Sequence, residues 1–322
     1  MSNLPQSSRR TLLALIGAGA ATLALPRLVR AQARHFFERH HLPLGAQIYS
    51  VADLARQDMA GTLRQLAAAG YQETELAGYL GHTPSEIRRL HDEAGLRCTS
   101  AHVKVESGSA EEPGFGGDLD VLAQHMHVMG ISYVIVPSFP LPPDVKLTQE
   151  PNEGYAFYAR VSRAITLEHW KARAEKLNKF GEALRAKGLK AGYHNHGSDF
   201  TPIGSQSGIE ILLSETEPKL VTFELDVGWA FAAGQNPVQV LRDHPGRFHL
   251  IHLKDMQEKY VAGPAVPRST EIGSGLIDWH SVLEAAYNSG ARKFFVEQEP
   301  PFTKPPLEAM ALSAKYLRQV EL

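Results

Sequence analysis

Four polar residues stand at the ends of four short apolar runs: His194 in Gly192-Tyr-His-Asn-His196, Asp226 in Phe223-Glu-Leu-Asp226, His252 in Leu250-Ile-His-Leu-Lys-Asp255, and Glu297 in Phe294-Phe-Val-Glu-Gln-Glu299. Each carries a lone pair that a divalent cation can use. A shell of two imidazoles and two carboxylates suits Mn, Zn, Fe or Co; Mg fits less well, and Ca sites are all oxygen. Taken singly, a His or Asp at such a position is more often a hydrogen-bonded structural group. Four in succession at the same offset point instead to one shared metal site. A cation held there would acidify a carbon next to a carbonyl, and Glu297 or a flanking carboxylate would then move the proton.

Further candidates surround these four. His196 follows His194 by two residues, Lys254 follows His252 by two, and Glu299 follows Glu297 by two. Side chains alternate along an extended chain, so each lies on the same side as its partner. His196 and Glu299 are therefore candidates for acid and base work, and Lys254 for meeting a substrate hydroxyl or a developing oxyanion. Glu75, His102 and Trp229 also end or follow apolar runs and are the substrate-binding candidates. Trp229 offers an apolar or stacking face to a ligand ring. Groups of these types also commonly serve only to orient metal ligands.

The runs that carry these residues recur along the chain. Short segments at 44–49 (β1), 73–77 (β2), 97–102 (β3), 133–137 (β4), 190–194 (β5), 221–226 (β6), 248–253 (β7) and 293–297 (β8) read as buried strands. Helical patterns at 59–69, 85–94, 119–129, 167–187, 208–214, 237–243, 279–289 and 306–318 separate and follow them. Gly70, Gly95, Gly130, Gly188 and Gly290 stand just before the next strand, where a left-handed helix terminus favours glycine. This rhythm predicts an α/β fold, a (β/α)8 TIM barrel in one domain over 34–322, with its chemistry on the rim where the strands end. An open doubly wound sheet is the competing fold, but no Gly-x-Gly-x-x-Gly turn follows β1 to support a dinucleotide site. Loops at 106–118 and 140–155 are polar, carry Pro and read as covers for that rim, and a further loop at 257–275 carries Gly and Pro.

The first residues read differently. Arg9 and Arg10 precede an apolar run from Leu12 to Leu25, and Ala31-Gln-Ala33 offers a small-x-small cleavage site. This is the pattern of a cleavable signal peptide over 1–33, and the paired arginines resemble a twin-arginine export signal. The expectation is a periplasmic or secreted protein with no membrane contact after cleavage. Cys98 is the single cysteine, so an internal disulfide is excluded even in an oxidising compartment. A formal net charge of -2 gives no electrostatic case for nucleic acid as a partner, which leaves a small ligand.

From Leu44 onward the chain resembles the sugar isomerase and epimerase superfamily, the xylose-isomerase-like barrels that include tagatose epimerase and inosose dehydratase. The resemblance rests on Gly70-Tyr-Gln-Glu-Thr-Glu75, Tyr193-His-Asn-His196, Glu224-Leu-Asp-Val-Gly-Trp229 with Ala233-Gly234, His252-Leu-Lys-Asp255, Ile272-Gly-Ser-Gly-Leu-Ile-Asp278 and Val296-Glu297. It implies one divalent metal held by a carboxylate from β5, an Asp from β6, a His from β7 and a Glu from β8. Asp226, His252 and Glu297 match the last three. His194 stands where the epimerases usually place a glutamate, and Trp229 where a histidine is often seen. Epimerases of this kind use two metal-bound glutamates on opposite faces of the substrate, and a metal-bound imidazole is a poor proton carrier.

The expectation is a metal-dependent enzyme resembling the sugar isomerases and epimerases, acting on a carbohydrate or keto-sugar by proton transfer next to a carbonyl. The alternative keeps the metal but eliminates or hydrolyses an oxidised sugar or glycoside, which needs one base and one acid. A third reading, from another class, is a periplasmic sugar-binding protein without catalysis. The sequence leaves a homo-oligomer open.

Overall fold

The computed structural model describes residues 35–321, apart from 152, 154, 155 and 260–266. The expected signal peptide at 1–33 and part of the 257–275 loop lie outside the described residues.

Eight parallel strands close into a barrel in the order β1-β8-β7-β6-β5-β4-β3-β2. They are β1 (Gly45–Gln47), β2 (Glu73–Ala77), β3 (Arg97–His102), β4 (Tyr133–Val136), β5 (Lys190–His194), β6 (Val221–Asp226), β7 (Phe248–Leu253) and β8 (Lys293–Val296). Parallel neighbours cannot be joined by a tight turn, so each pair needs a crossover. Helices Met59–Ala69, Pro84–Ala94, Leu119–Met129, Leu167–Arg185, Gly208–Glu215, Pro237–Asp243 and Trp279–Ser289 supply the crossovers, and Pro306–Leu317 follows β8. The five glycines expected at helix ends all adopt positive φ, from 71° at Gly95 to 111° at Gly290.

The strand and helix bounds differ from expectation by one or two residues, with one consequential case. β1 stops at Gln47 because the Gln47 side chain accepts the Tyr49 N–H at 3.0 Å and starts a 3-10 turn over Ile48–Val51. Tyr49 is thereby turned out onto the rim, half exposed. Short helices at Phe36–Arg39, Ala52–Gln57, Ala156–Ala164 and Val227–Ala232 were not expected.

Alternation along the strands sorts side chains into two sets. The outward set, which includes Leu76, Val134, Phe223, Ile251 and Phe294, is fully buried against the helices, each such side chain contributing about 1.5–3 kcal/mol. The inward set begins with an apolar plug of Tyr133, Ile135, Leu250 and Phe295. Gly45 and Gly192 make room for it: a Cβ on Gly45 would lie 2.3 Å from the Phe295 ring, and one on Gly192 2.5 Å from Ile135 Cδ1. Two residues further along the strands the inward positions turn polar, at Gln47, Glu75, His102, His194, His252 and Glu297. A plug below and polar groups above fix where the chemistry sits.

Candidate metal centre

The ends of β5 to β8 bring the four expected ligands together. One donor atom from each of His194, Asp226, His252 and Glu297 lies within 4.8 Å of all the others, and all four side chains are buried. His252 Nδ1 is 2.9 Å from Glu297 Oε2 and 4.0 Å from Asp226 Oδ2, while His194 Nε2 is 3.9 Å from Asp226 Oδ2. Asp226 is held from behind: its Oδ1 accepts the Trp229 N–H at 2.7 Å, capping helix Val227–Ala232, and Asn195 pairs with its backbone. Its other oxygen, Oδ2, makes no hydrogen bond of good geometry, although Lys254 Nζ stands 2.7 Å away.

Beneath this ring lies a second layer that the sequence reading placed only in part. Glu224 Oε2 is hydrogen-bonded to His102 Nε2 at 2.9 Å and His194 Nδ1 at 3.0 Å, and lies 3.1 Å from His252 Nε2. Glu75 Oε1 lies 2.8 Å from His252 Nε2 and 3.0 Å from His102 Nε2, and it also accepts from Gln47 at 2.6 Å. These contacts leave the upward nitrogens, His194 Nε2 and His252 Nδ1, for a cation. Carboxylates behind ligating histidines fix the ring orientation in this way. Both register irregularities of the barrel fall here, between Thr74 and Glu75 and between Phe223 and Glu224, and such bulges re-aim side chains next to sites. Glu224 was missed although it precedes Asp226 by two residues on the same strand, which was the available signal. Glu75 was expected to touch substrate; instead it is fully buried and bound on all sides, because β2 continues two residues beyond it to Ala77.

Lys254 also differs from expectation. Its ammonium is buried among three carboxylates, at 2.7 Å from Asp226, 2.9 Å from Glu297 and 2.5 Å from Glu299, and lines neither of the two cavities that open above the ligand set. In this position it braces the carboxylates. Burial alone would lower the Lys254 pKa, but Asp226 and Glu297 raise it well above the ordinary value. Burial would raise Glu297, yet Lys254 and His252 hold it well below the usual carboxylate range. Burial pushes Asp226 up to about 6 against the pull of Lys254.

The imidazoles divide in the same manner. Burial lowers His194 well below its ordinary value, reinforced by His252 and His102, so it stays a neutral imidazole. His252 is opposed by burial but raised well above its ordinary value by Glu224 and Glu297. His102 is likewise opposed by burial but raised to about 9 by Glu75 and Glu224.

The donor set, two imidazole nitrogens and two carboxylate oxygens with Asp226 Oδ2 left without a hydrogen bond, fits one divalent metal ion.

Two cavities open above it. The first, ≈ 360 Å³, is lined by His102, His194 and Glu297 together with Tyr79, Lys104 and Glu112. The second, ≈ 560 Å³, has Phe139, Trp170, Tyr193 and Trp229 among its walls. Tyr49, Ser138, His196 and Glu299 line both. His196 lies beside His194 with ring centroids 4.9 Å apart, as the spacing predicted. Glu299 Oε1 is fixed by Lys254 and by the Trp229 indole N–H at 3.1 Å. Trp229 is thus largely buried while keeping a place on the cavity wall. The loops expected over the rim contribute Glu112 to the first cavity and Leu141 to the second.

Comparison with known proteins agrees with this architecture. Inosose dehydratase from Geobacillus thermodenitrificans (strain NG80-2) is 32% identical over 169 residues, a match that spans 48% of this chain and 56% of that protein's length. Inosose dehydratase from Clostridium beijerinckii (strain ATCC 51743 / NCIMB 8052) is 24% identical over 294 residues, covering 86% of this chain and 95% of that one. A solved sugar phosphate isomerase/epimerase from Parabacteroides distasonis ATCC 8503 superposes with a TM-score of 0.67 at 26% identity, covering 86% of this chain and 93% of that chain. A family model described as xylose isomerase-like TIM barrel matches residues 63–320, from before β2 to beyond β8. The chain belongs to the xylose isomerase-like TIM barrel family.

Proposed function

We propose that this enzyme is a metal-dependent lyase that eliminates a leaving group from an oxidised, keto-bearing sugar. The observation that carries this reading is the asymmetry of the ring: His194 occupies the β5 position, so the four ligands do not present two equivalent carboxylates to opposite faces of a substrate. Elimination needs only one proton carrier. The dehydratase names of the two relatives support the same choice, since a dehydratase eliminates water.

A divalent cation bound by His194, Asp226, His252 and Glu297 would polarise the substrate carbonyl and acidify the neighbouring carbon. Glu297, ion-paired with His252 and Lys254, serves as ligand and not as base. Glu299 is the base: it faces both cavities, and Lys254 and Trp229 hold one of its oxygens in place. It takes the carbon-bound proton, the C–H pair becomes the C=C bond, the C–O bond on the next carbon breaks, and the same proton passes to the departing oxygen. His196 stands at the same junction and donates an N–H hydrogen bond to that oxygen.

The isomerase or epimerase reading remains the second one, supported by the likeness to the Parabacteroides distasonis structure. Incubation of the metal-loaded protein with keto-inositols and keto-sugars in deuterated water separates the readings by NMR and mass. Elimination yields an unsaturated ketone that has lost the leaving group. Deuterium incorporation with an otherwise unchanged formula indicates isomerisation or epimerisation, and tight binding of an unchanged ligand indicates the non-catalytic protein. The lyase reading further expects Glu299→Gln to abolish turnover while keeping the metal.

A further inference from the structure

The second cavity is larger than a small leaving group requires. Loss of water from a single ring would be served by the ≈ 360 Å³ cavity, yet a ≈ 560 Å³ cavity lies on the far side of Glu299 and His196. Its walls are aromatic. Phe139 and Tyr193 stack with centroids 5.9 Å apart, and the Arg173 guanidinium lies 4.5 Å over Trp170 and 5.5 Å over Phe139. Held against these rings, Arg173 adds polarity without offering a cluster of cations. The carboxylates of Asp199 and Glu299 line the same space, which disfavours an anionic occupant such as a phosphate.

We infer that the leaving group is an alcohol carrying a second, uncharged ring, so that the substrate is an O-glycoside of a keto-sugar bound across both cavities. This rests on the lyase reading above. The keto-sugar occupies the polar cavity beside His102, His194 and Glu297, and the second ring occupies the aromatic cavity. The glycosidic oxygen then falls at the junction lined by Tyr49, Ser138, His196 and Glu299. The reaction balances without an oxidant or reductant: a C–H and a C–O bond break, a C=C bond and an O–H bond form, and the products are an unsaturated keto-sugar and a free alcohol. An aryl alcohol and a second sugar share the needed chemistry, a ring with a flat apolar face joined through oxygen.

The test compares three keto-glycosides of one keto-sugar on the metal-loaded protein: 4-nitrophenyl, glucosyl and methyl. Phe139→Ala opens the aromatic wall, and Val161→Trp fills the cavity from helix Ala156–Ala164. The readout is the ratio of kcat/KM for each two-ring substrate to that for the methyl glycoside. Because 4-nitrophenolate leaves more readily than methoxide whatever the pocket, the ring is identified by the two-ring substrate whose ratio falls in the variants. Each variant should lower that ratio roughly two- to tenfold, the size of a lost aromatic contact. Elimination from all three with ratios unchanged in both variants overturns the second-ring site while leaving the lyase reading intact. No elimination from any of the three overturns both.

Discussion

Glu224 touches three imidazoles with one oxygen, and two of them, on His194 and His252, belong to the proposed ligand set. Replacing it with Gln keeps the size but removes the charge and supplies a donor where the rings need an acceptor. Metal affinity should fall about 10- to 100-fold, measured by competition with a chelator, while the barrel stays folded. His252 makes a second prediction. Burial opposes its protonation, but Glu224 and Glu297 raise its pKa well above the ordinary value, so the metal-free centre holds a proton that a cation must displace. Metal binding should release protons and weaken as pH falls, which titration calorimetry in buffers of different ionisation enthalpy will detect; binding independent of pH would exclude His252 Nδ1 as a ligand. At this scale the sequence was readable where a polar residue ends an apolar run, as at Asp226 and His252. It was less readable below the rim. Glu75 and Glu224 look like any other inward residue until the bulges beside them show where their carboxylates go.

Among the elements, helix Val227–Ala232 matters most to the site, because Asp226 caps it and it presses on the end of β7. Gly228 allows that approach: a Cβ there would stand 2.7 Å from Lys254 Cγ and 2.8 Å from the Lys254 carbonyl oxygen. Gly228→Ala must push the helix or Lys254 aside, at a cost of about 1–3 kcal/mol by urea denaturation. Metal affinity should fall with it, since Lys254 braces Asp226 and Glu297. A fully stable variant with native affinity would show that this contact can relax freely. The strands and main helices were visible from apolar runs and from glycines at helix ends. Helix Val227–Ala232 was not, because six residues are too few to show helical periodicity and its cap, Asp226, reads equally well as a ligand. Nor was the early end of β1, which depends on the Gln47 side chain capturing a backbone N–H.

For the molecule as a whole, one barrel carries an apolar plug, a layer of braced imidazoles and carboxylates, and two cavities that meet at His196 and Glu299. The barrel class followed from eight repeated βα units, but the division of the rim into a polar and an aromatic cavity did not. Phe139, Trp170, Arg173 and Tyr193 come from separate parts of the chain, and only tertiary packing brings them together. The residues where β5 to β8 end fit one divalent cation. Elemental analysis of the purified protein beside His194→Ala and Asp226→Ala tests that claim most directly. The parent protein should hold about one equivalent of a transition metal, and both variants should lose it. A parent protein that binds no metal even after reconstitution, or variants that retain it fully, would contradict that claim.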